Sequence, residues 1–418
     1  MIVCVATAAL VISNGLSIGG LPPFYKPIRE EFLAIGAIDP AHAESFIANG
    51  ANITFLMSGV FSLLGGWLLT RIRLKPLMLA GCVLLGGGLV LHAYAHTAAM
   101  VYAARFLMGA SLGFVGVTPN VVLISRWFNV GRGTALGIVL TGTSIGGFII
   151  PLIAAPLITN YGWREAMIAI SLLIWLVLLP AIIVLIKESP DDASALDPAT
   201  SAAAAFSSSA AAAATASDGL TLRQAITTPL FWVFGLCAAL VFYPIFVTSQ
   251  QFILYLQSPK IGVSAETAAF AQSSLFAVSI GGKFLAGFLS DKFQSVRVMM
   301  ACAFVMFAAS VVLLTLTAGN ALLFLLPFAL GYGGTWVLLQ RLASELFGQR
   351  EIGKILGAFT MIEVIGAAIG GRITGYLADQ SGGDYTYAFY GVTIAAGLAF
   401  ITTFGIFAIA KDLDQKRN

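Results

Sequence analysis

The chain has 418 residues, of which 59% are hydrophobic and 10% are charged, and its mean hydropathy is +0.93. Soluble globular proteins carry about 25% charged residues, so this composition excludes a soluble protein and predicts one that crosses a membrane many times. The formal net charge of +3 comes from dispersed basic residues, so no nucleic-acid partner is expected.

Twelve apolar runs follow one another along the chain, and each is long enough to cross a bilayer as a helix, which takes about 20 residues. The sequence therefore predicts an all-α membrane protein with twelve transmembrane helices. Numbered 1 to 12, the predicted helices cover residues 2–22, 46–70, 74–96, 99–126, 134–158, 163–187, 229–256, 266–291, 296–318, 320–347, 351–380 and 384–410.

A long polar segment separates the first six helices from the last six. It contains an Ala/Ser tract at 199–217, and serines interleaved with alanines without an apolar face are typical of a flexible tether. The sequence therefore predicts an N-terminal six-helix bundle at 1–187, a flexible linker at 188–224 and a C-terminal six-helix bundle at 225–418.

Lysine and arginine residues are concentrated at one set of helix ends. By the positive-inside rule, these ends face the cytoplasm, which predicts a multi-pass protein of the cell (inner) membrane with both termini and the linker in the cytoplasm. Fourteen basic residues lie at these ends and four at the others. The fourteen are Arg71, Arg73, Lys75, Arg126, Arg132, Lys187, Arg223, Lys292, Arg297, Arg350, Lys354, Lys411, Lys416 and Arg417, and the four are Lys26, Arg29, Arg164 and Lys260.

The two sets of six helices look like copies of each other. A shift of 221 residues places 66–71 on 287–292, and a shift of 220 places four glycines on four others. Two parallel six-helix repeats form a known transporter architecture, in which the substrate site lies at the repeat interface near mid-membrane. The predicted fold is therefore two pseudo-symmetric six-helix bundles with a site between them.

Lys283 lies inside the eighth predicted helix, roughly 12 Å along the helix axis from Asp291 at its end. A lysine at this depth costs about 2.5–3.5 kcal/mol on insertion scales, so it should face a partner or a wet cavity. We therefore take Lys283 as the leading candidate to bind a substrate anion.

Glu363 is the acidic residue nearest to mid-membrane, about 18 Å from the inner end of helix 11. Because an intramembrane carboxyl group is a functional candidate by default, Glu363 is expected to bind and release a coupling proton. Two interpretations stay open. Lys283 and Glu363 either form a buried structural ion pair between helices 8 and 11, or serve the substrate and the proton.

The other charges within predicted helices are expected to serve structure or gating. Arg105 in helix 4 is expected to satisfy helix carbonyls or a neighbouring helix, with substrate contact as the lesser alternative. Arg341 and Glu345 are four residues apart on helix 10 and hence on one face, near its cytoplasmic end. This spacing predicts a local pair or a latch at an inner gate.

Polar and aromatic side chains of helices 1, 4, 7 and 10 are predicted to line the rest of a central cavity. Each is a weak signal alone, because such side chains also hold helices together. A proline in mid-helix frees a backbone carbonyl, which favours Asn120 after Pro119 and Tyr243 before Pro244. The candidates are Asn14, Ser17, Asn120, Tyr243, Gln250, Gln251, Tyr332, Trp336 and Gln340.

The sequence offers little for other chemistry. It has three histidines and no Ser/His/Asp or metal-ligand cluster, so enzymatic activity, a metal site and a cofactor are not expected. The four cysteines lie in apolar runs, where a thiol is most often a small core residue, so no disulfide is expected.

The loops after helices 2 and 8 carry a motif, Gly-x-Leu-x-Asp-Arg followed by basic residues, that resembles the loop signature of the major facilitator superfamily. The second copy has Gly287, Leu289, Asp291 and Lys292, whereas the first has Thr70 in place of the aspartate. The resemblance covers essentially the whole chain and implies the major facilitator fold. It also implies gating or structural roles for Arg71 and Lys292, and hydrogen bonds to Asp291 at a cytoplasmic hinge.

Residues 127–137, at the entry to helix 5, are similar to the aromatic-Phe-x-x-x-Arg-x-x-Ala-x-Gly segment of monocarboxylate transporters and oxalate/formate antiporters. Those relatives have a helix-8 arginine that engages the substrate carboxylate, and Lys283 is placed at that position. The antiporters also have a helix-11 lysine, where this chain has Glu363. Asn14 replaces an acidic residue of the helix-1 motif.

These observations predict a secondary active transporter that moves a small organic anion, expected to be a monocarboxylate, by alternating access with proton coupling. It is expected to work as a monomer in the lipid bilayer. One alternative is a carrier of a neutral or cationic compound, with Glu363 as counter-ion and Lys283 as its resting partner. An alternative of another class is a membrane sensor that transports nothing.

Overall fold

The computed structural model describes residues 2–69, 71–127, 132–186, 219–348 and 350–417. In these ranges, twelve helices are long and apolar enough to span a membrane, which confirms the predicted fold class. In chain order they are α1 (Ile2–Asn14 and Pro22–Ala34), α2 (Ala43–Leu68), α3 (Leu74–Ala93), α4 (Ala98–Val115 and Val117–Trp127), α5 (Arg132–Tyr161), α6 (Trp163–Leu172 and Leu179–Leu185), α7 (Pro229–Leu256), α8 (Ala265–Lys292), α9 (Ser295–Val311), α10 (Ala321–Phe347), α11 (Ile352–Gln380) and α12 (Thr386–Arg417).

Helix α1 is longer than the sequence predicted, since it continues past residue 22 to Ala34. Prolines are favoured in the first turn of a helix, and Pro22 and Pro23 begin the added part after a π-helical turn. Charged residues lower the hydropathy of this added part, but the chain stays helical. At the joint, a Cβ atom on Gly20 would lie 2.1 Å from a methyl carbon of Ile150, so α5 packs against bare backbone.

Helix α4 is broken at Gly116, between its two segments. The Asn120 side-chain amide donates hydrogen bonds to the carbonyls of Val115 and Gly116, at 2.9 and 2.7 Å. A break leaves carbonyl groups without their helical donors, and the buried Asn120 supplies two of the missing bonds. The sequence predicted that Pro119 frees a backbone carbonyl in mid-helix. The Asn120 side chain binds the freed carbonyls within α4 itself.

The helices pack in a pattern that repeats between the two halves of the chain. Helix α1 packs on α5, α2 on α4, and α3 on α4 and α6; correspondingly, α7 packs on α11, α8 on α10, and α9 on α10 and α12. We call the first group the N-bundle and the second the C-bundle. The predicted domain limits at 187, 188 and 224 stay a prediction, because residues 187–218 lie outside the described part of the chain.

The two bundles meet along two helix pairs. Helix α2 packs against α11, and α5 packs against α8. Glycines allow these helices to approach closely: a Cβ atom on Gly371 would lie 2.2 Å from Asn52, and one on Gly147 would lie 2.5 Å from the Phe276 ring. The space between these two pairs is where the candidate site lies.

Candidate functional site

A cavity of about 50 Å³ lies between the bundles. Aromatic and aliphatic side chains make up most of its wall, and polar groups are few. Small-molecule sites often have this character, an apolar wall with a small number of placed polar groups. The lining residues are Asn14, Ile18, Gly19, Phe55 and Thr143 from the N-bundle, and Phe242, Ile245, Phe246, Ser249, Phe276, Tyr332 and Trp336 from the C-bundle.

The Lys283 ammonium reaches the edge of this cavity. It donates a hydrogen bond to Ser144 Oγ at 2.7 Å and a longer one to Thr143 Oγ1 at 3.4 Å, both on α5 of the other bundle. It also lies 5.2 Å from the centroid of the Trp336 ring, within the range of a cation–π contact. Lys283 forms no ion pair with any described carboxylate.

Glu363 is buried in the C-bundle, with 4% of its surface exposed. One turn away on the same helix, Phe359 packs on Phe231 and Phe234 of α7, each at 4.7 Å between ring centroids. The Glu363 carboxylate has no hydrogen bond or ion pair with a described residue. The described residues therefore do not contain the alternative of a structural Lys283–Glu363 ion pair.

Some of the predicted cavity residues line the cavity, one lies beside it, and others lie elsewhere. Asn14, Tyr332 and Trp336 line the cavity. Gln250 lies beside it, where Tyr25 Oη donates to Gln250 Oε1 at 2.6 Å and Gln250 Nε2 donates to the Ile18 carbonyl at 3.3 Å. These two bonds cross between the bundles and close the cavity on one side.

The other predicted cavity residues lie elsewhere. Tyr243 points between α11 and α12, since added Cβ atoms on Gly370 and Gly391 would each lie 2.9 Å from it. Asn120 serves the α4 break. Gln340 is one turn beyond Trp336 on α10 and is not among the lining residues. A neighbouring residue on α7, Phe242, takes the lining position expected of Tyr243.

Arg105 is almost fully buried, with 2% of its surface exposed. Its guanidinium carbon lies 5.1 Å from the centroid of the Tyr25 ring, and its Nε and Nη1 atoms have no described hydrogen-bond partner. The expected contacts with helix carbonyls are thus absent for these two atoms within the described chain. Arg105 instead supports Tyr25, which carries the bond to Gln250 across the bundle interface.

Arg341 is the centre of a polar cluster at one end of the C-bundle. It donates to Glu345 at 2.7 Å, to Asp291 at 2.5 Å and to Ser290 at 2.9 Å. Glu345 in turn accepts from Ser295 Oγ at 2.8 Å, so the cluster joins α8, α9 and α10. The expected local pair of Arg341 and Glu345 is present, with Asp291 as a third member.

Arg71 and Lys292, the two loop cations with implied gating or structural roles, each contact an aromatic ring. Arg71 lies over the Trp67 ring at 4.3 Å, and Lys292 lies over the Phe288 ring at 4.3 Å. In both halves, therefore, the basic residue of the repeated loop motif covers an aromatic ring one turn earlier in the helix that ends there.

A set of residues that the sequence did not single out joins the bundles at one end. The Asp379 carboxylate of α11 accepts hydrogen bonds from the backbone N–H groups of Glu44 and Ser45, at 2.7 and 3.0 Å, and so caps α2. Glu44 pairs with Arg29 and accepts a hydrogen bond from Tyr385 Oη at 2.6 Å. We call this the tied end: Ala34, Ala43 and Gln380 lie there.

The polar contacts between the bundles are distributed unevenly. Every described cross-bundle hydrogen bond lies at the tied end or near the cavity; nearer the tied end, Arg372 bonds to Asn49 and Asn52 bonds to the Ala368 carbonyl. Further toward the opposite end the contact is apolar, for example where Gly59 faces Val364. Between α2 and α11, the described polar bonds therefore lie toward the tied end.

Comparisons with known proteins agree with this architecture. A family model described as the Major Facilitator Superfamily matches residues 7–260 and 252–417. Monocarboxylate transporter 13 of Rattus norvegicus is 25% identical over 374 residues, which is 88% of this chain and 82% of that protein. MFS transporter asaE of Aspergillus flavus is 28% identical over 292 residues, which is 68% of this chain and 60% of that protein.

Solved structures give the same fold. A crystal structure of a D-xylose-proton symporter superposes with a TM-score of 0.74 at 15% identity and covers 96% of both chains. The inward-open xylose transporter XylE from E. coli superposes with a TM-score of 0.73 at 16% identity, covering 96% of this chain and 95% of that one. At such low identity these structures support the fold and no particular substrate.

Proposed function

Because this chain belongs to the major facilitator superfamily, we propose that it is a secondary active transporter for a small organic anion, with monocarboxylates as the substrate class. The single observation that carries the proposal is the Lys283 ammonium at the cavity edge, bonded only to hydroxyl groups. A half-buried ammonium inside a membrane span is stabilised most by an anion, and no described carboxylate supplies one. A substrate carboxylate is the group that fits.

The wall of the cavity supports a substrate with one charged end. Asn14, Thr143 and Ser249 are polar lining residues, whereas phenylalanine, tyrosine and tryptophan rings make up most of the rest. Lys283 adds one positive charge through its bond to Thr143. A second carboxylate would lose its water among these rings without a described cation to pair with it, which is costly. The relatives named monocarboxylate transporters point to the same class.

Proton coupling is part of the proposal, with Glu363 as the coupling group. It is a buried carboxyl group without a described ionic partner, and such groups within a membrane often belong to proton pathways. Lys283 and Glu363 lie on different helices of the C-bundle, so a proton and an anion could enter one bundle together. Their charges would then offset each other during the bundle movement.

The competing transport hypothesis, a neutral or cationic substrate with Glu363 as counter-ion, has less support. Glu363 is not among the cavity-lining residues, whereas Thr143 and Trp336, the contacts of Lys283, are. A cation in the cavity would also meet the Lys283 ammonium, which repels it.

The orientation in the membrane follows from the basic residues. Arg71 and Lys292 lie at the end opposite the tied end, so the positive-inside rule puts the tied end outside and both termini in the cytoplasm. We propose that the structure is the conformation closed to the outside, working as a monomer in the cell membrane.

Counterflow in proteoliposomes tests the function. Vesicles with purified protein are loaded with one unlabelled compound and diluted into its labelled form, using straight-chain carboxylates from acetate to hexanoate, succinate, xylose and a quaternary ammonium compound. We expect transient accumulation with one or more monocarboxylates and none with the other three. Counterflow confined to xylose or the ammonium compound would overturn the anion class.

A further inference from the structure

Helices α5 and α8 meet at a narrow seam between the bundles, and three polar side chains lie in it. Ser279 Oγ lies 3.3 Å from Ser144 Oγ, and the Lys283 ammonium is 2.7 Å from the same hydroxyl. Ser144 is 1% exposed and Ser279 is fully buried. Ser144 Oγ therefore accepts hydrogen bonds from two side chains of α8 in this seam.

The Lys283 ammonium is shared between the seam and the cavity. Its short bond goes to Ser144, which does not line the cavity, and its long bond goes to Thr143, which does. An ammonium group has three N–H donors, so one donor remains beyond these two hydroxyls, on the side of the Trp336 ring. Lys283 can thus begin to donate to a partner in the cavity before its bond to Ser144 is lost.

We propose that Ser144 is a positioning residue that competes with the substrate for Lys283. In the empty transporter its hydroxyl holds the ammonium in the seam, and an arriving carboxylate draws the ammonium into the cavity. This inference rests on the proposed function, since it takes the substrate to be an anion that Lys283 binds.

The direction of this exchange follows from hydrogen-bond strength. A bond between an ammonium and a carboxylate is charge-assisted on both sides, so it is shorter and stronger than a bond from the same ammonium to a neutral hydroxyl. The carboxylate therefore wins, and the ammonium moves fully into the cavity only as its bond to Ser144 is lost. The wild-type protein binds its substrate less tightly than a protein without that hydroxyl.

The same exchange links occupancy of the cavity to movement of the bundles. The Lys283–Ser144 bond joins the C-bundle to the N-bundle, and the bundles must slide or tilt against each other in alternating access. Substrate that takes the ammonium removes this cross-bundle bond. Because coupling between two equilibria is reciprocal, a change that weakens the Lys283–Ser144 bond also strengthens substrate binding.

The test is counterflow and initial uptake by Ser144→Ala, using whichever straight-chain carboxylate from acetate to hexanoate gives the largest wild-type counterflow. Loss of one competing hydrogen bond to a charged group predicts a KM lower by about threefold to tenfold. Ser144→Cys, which keeps the size of the side chain but has a weaker acceptor, should lie between the two. Ser111→Ala, which removes a buried hydroxyl that donates only to the Met108 carbonyl, is the matched control and should leave KM unchanged.

A double-mutant cycle separates positioning from packing. If Ser144 acts through Lys283, Ser144→Ala should change nothing in a Lys283→Gln background, whereas a packing effect would persist there. An unchanged or raised KM in Ser144→Ala overturns the inference while leaving the anion transporter intact. Full transport by Lys283→Gln, or no carboxylate transported by the wild type, overturns the proposed function and this inference with it.

Discussion

Lys283 meets a hydroxyl of the opposite bundle, an aromatic ring and a cavity at the same time. Its depth in the membrane could be predicted from the sequence, because distance along a helix follows from residue count. Its partners on α5 could not, because the register of one bundle against the other is set by contacts between distant residues. The same limit explains Tyr243: its position before Pro244 favoured it as a cavity residue, but its neighbour Phe242 lines the cavity instead.

Lys283→Gln should reduce carboxylate uptake, because glutamine keeps hydrogen bonding but removes the positive charge. Loss of one charge-assisted bond predicts a KM higher by about tenfold to a hundredfold, and Lys283→Arg should retain part of the activity. Initial uptake rates in proteoliposomes measure both. Lys26→Gln, at a partly exposed position of α1 outside the cavity lining, is the control. Wild-type uptake by Lys283→Gln would contradict anion binding at this residue.

Glu363→Gln, a mimic of the protonated side chain, should exchange labelled substrate across the membrane but fail to concentrate it under an imposed pH gradient. The carboxyl group would no longer release a proton, so exchange survives and accumulation does not. Counterflow and gradient-driven uptake by the same vesicles measure the two activities. Glu266→Gln, at the exposed start of α8, is the control. Accumulation by Glu363→Gln equal to that of the wild type would assign coupling elsewhere.

At the scale of the helices, hydropathy predicts where a segment enters the membrane better than where its helix ends. The predicted limits of α7 match the structure at both Pro229 and Leu256. At both ends, turn-forming residues lie where the apolar run ends, so the helix and the apolar run have the same limits. In α1 the helix extends beyond the apolar run, because Lys26 and Arg29 lower the hydropathy of residues that stay helical to Ala34. That charged extension contains Arg29, which pairs with Glu44 at the tied end.

The Arg341 cluster lies within the C-bundle, so it should influence the bundle's end and not the substrate directly. Arg341→Ala should lower the free energy of unfolding by about 1 kcal/mol, since the cluster is partly exposed and such pairs are screened by water. It should also change the transport rate more than KM. Thermal unfolding and uptake kinetics test this, with Lys26→Ala, at a partly exposed position outside the cluster, as control. A selective rise in KM at an unchanged rate would move Arg341 into the binding site.

The cap that Asp379 gives to α2 is expected to hold the tied end closed. Asp379→Asn weakens two bonds to a helix N-terminus, where capping by a side chain typically contributes about 1 kcal/mol, so the closed conformation should lose about fivefold in relative population. The measurement is maleimide labelling of a cysteine placed at Ser249 in the cavity, from the side of the tied end, after replacement of the four native cysteines.

Asp384→Asn is the matched control for this labelling. Partial burial raises the pKa of Asp384, but hydrogen bonds from Thr386 and the charge of Lys260 lower it more, so the pKa lies below its usual value. Asp384 is therefore ionised at neutral pH, near Asp379 in the chain but without its bonds to α2. Faster labelling in Asp384→Asn alone would show that the cap of Asp379 is not the restraint.

For the whole molecule, the repeat could be predicted from the sequence, but the conformation could not. The pairing of α1 with α5 recurs as α7 with α11, as expected of two copies of one unit. Nothing in the spacing of glycines says which side of the cavity is closed. That depends on Asp379 meeting the Glu44 and Ser45 amides across the bundle interface. Glu44 and Asp379 lie near helix ends, where most charges are solvated, so their positions in the chain did not distinguish them from other surface charges.

The tied end also affects how fast an inhibitor would act from each side of the membrane. Its donors to Asp379 are main-chain amides, so side-chain changes at Glu44 or Ser45 leave them in place. A blocker shaped for the cavity and unable to cross the bilayer, if applied from this side, would have to wait until the cap opens. Its onset would be slow and would follow the opening rate, whereas the same compound applied from the opposite side would not depend on that step. The difference in onset of inhibition between the two sides would thus measure the effect of one carboxylate at the end of α11.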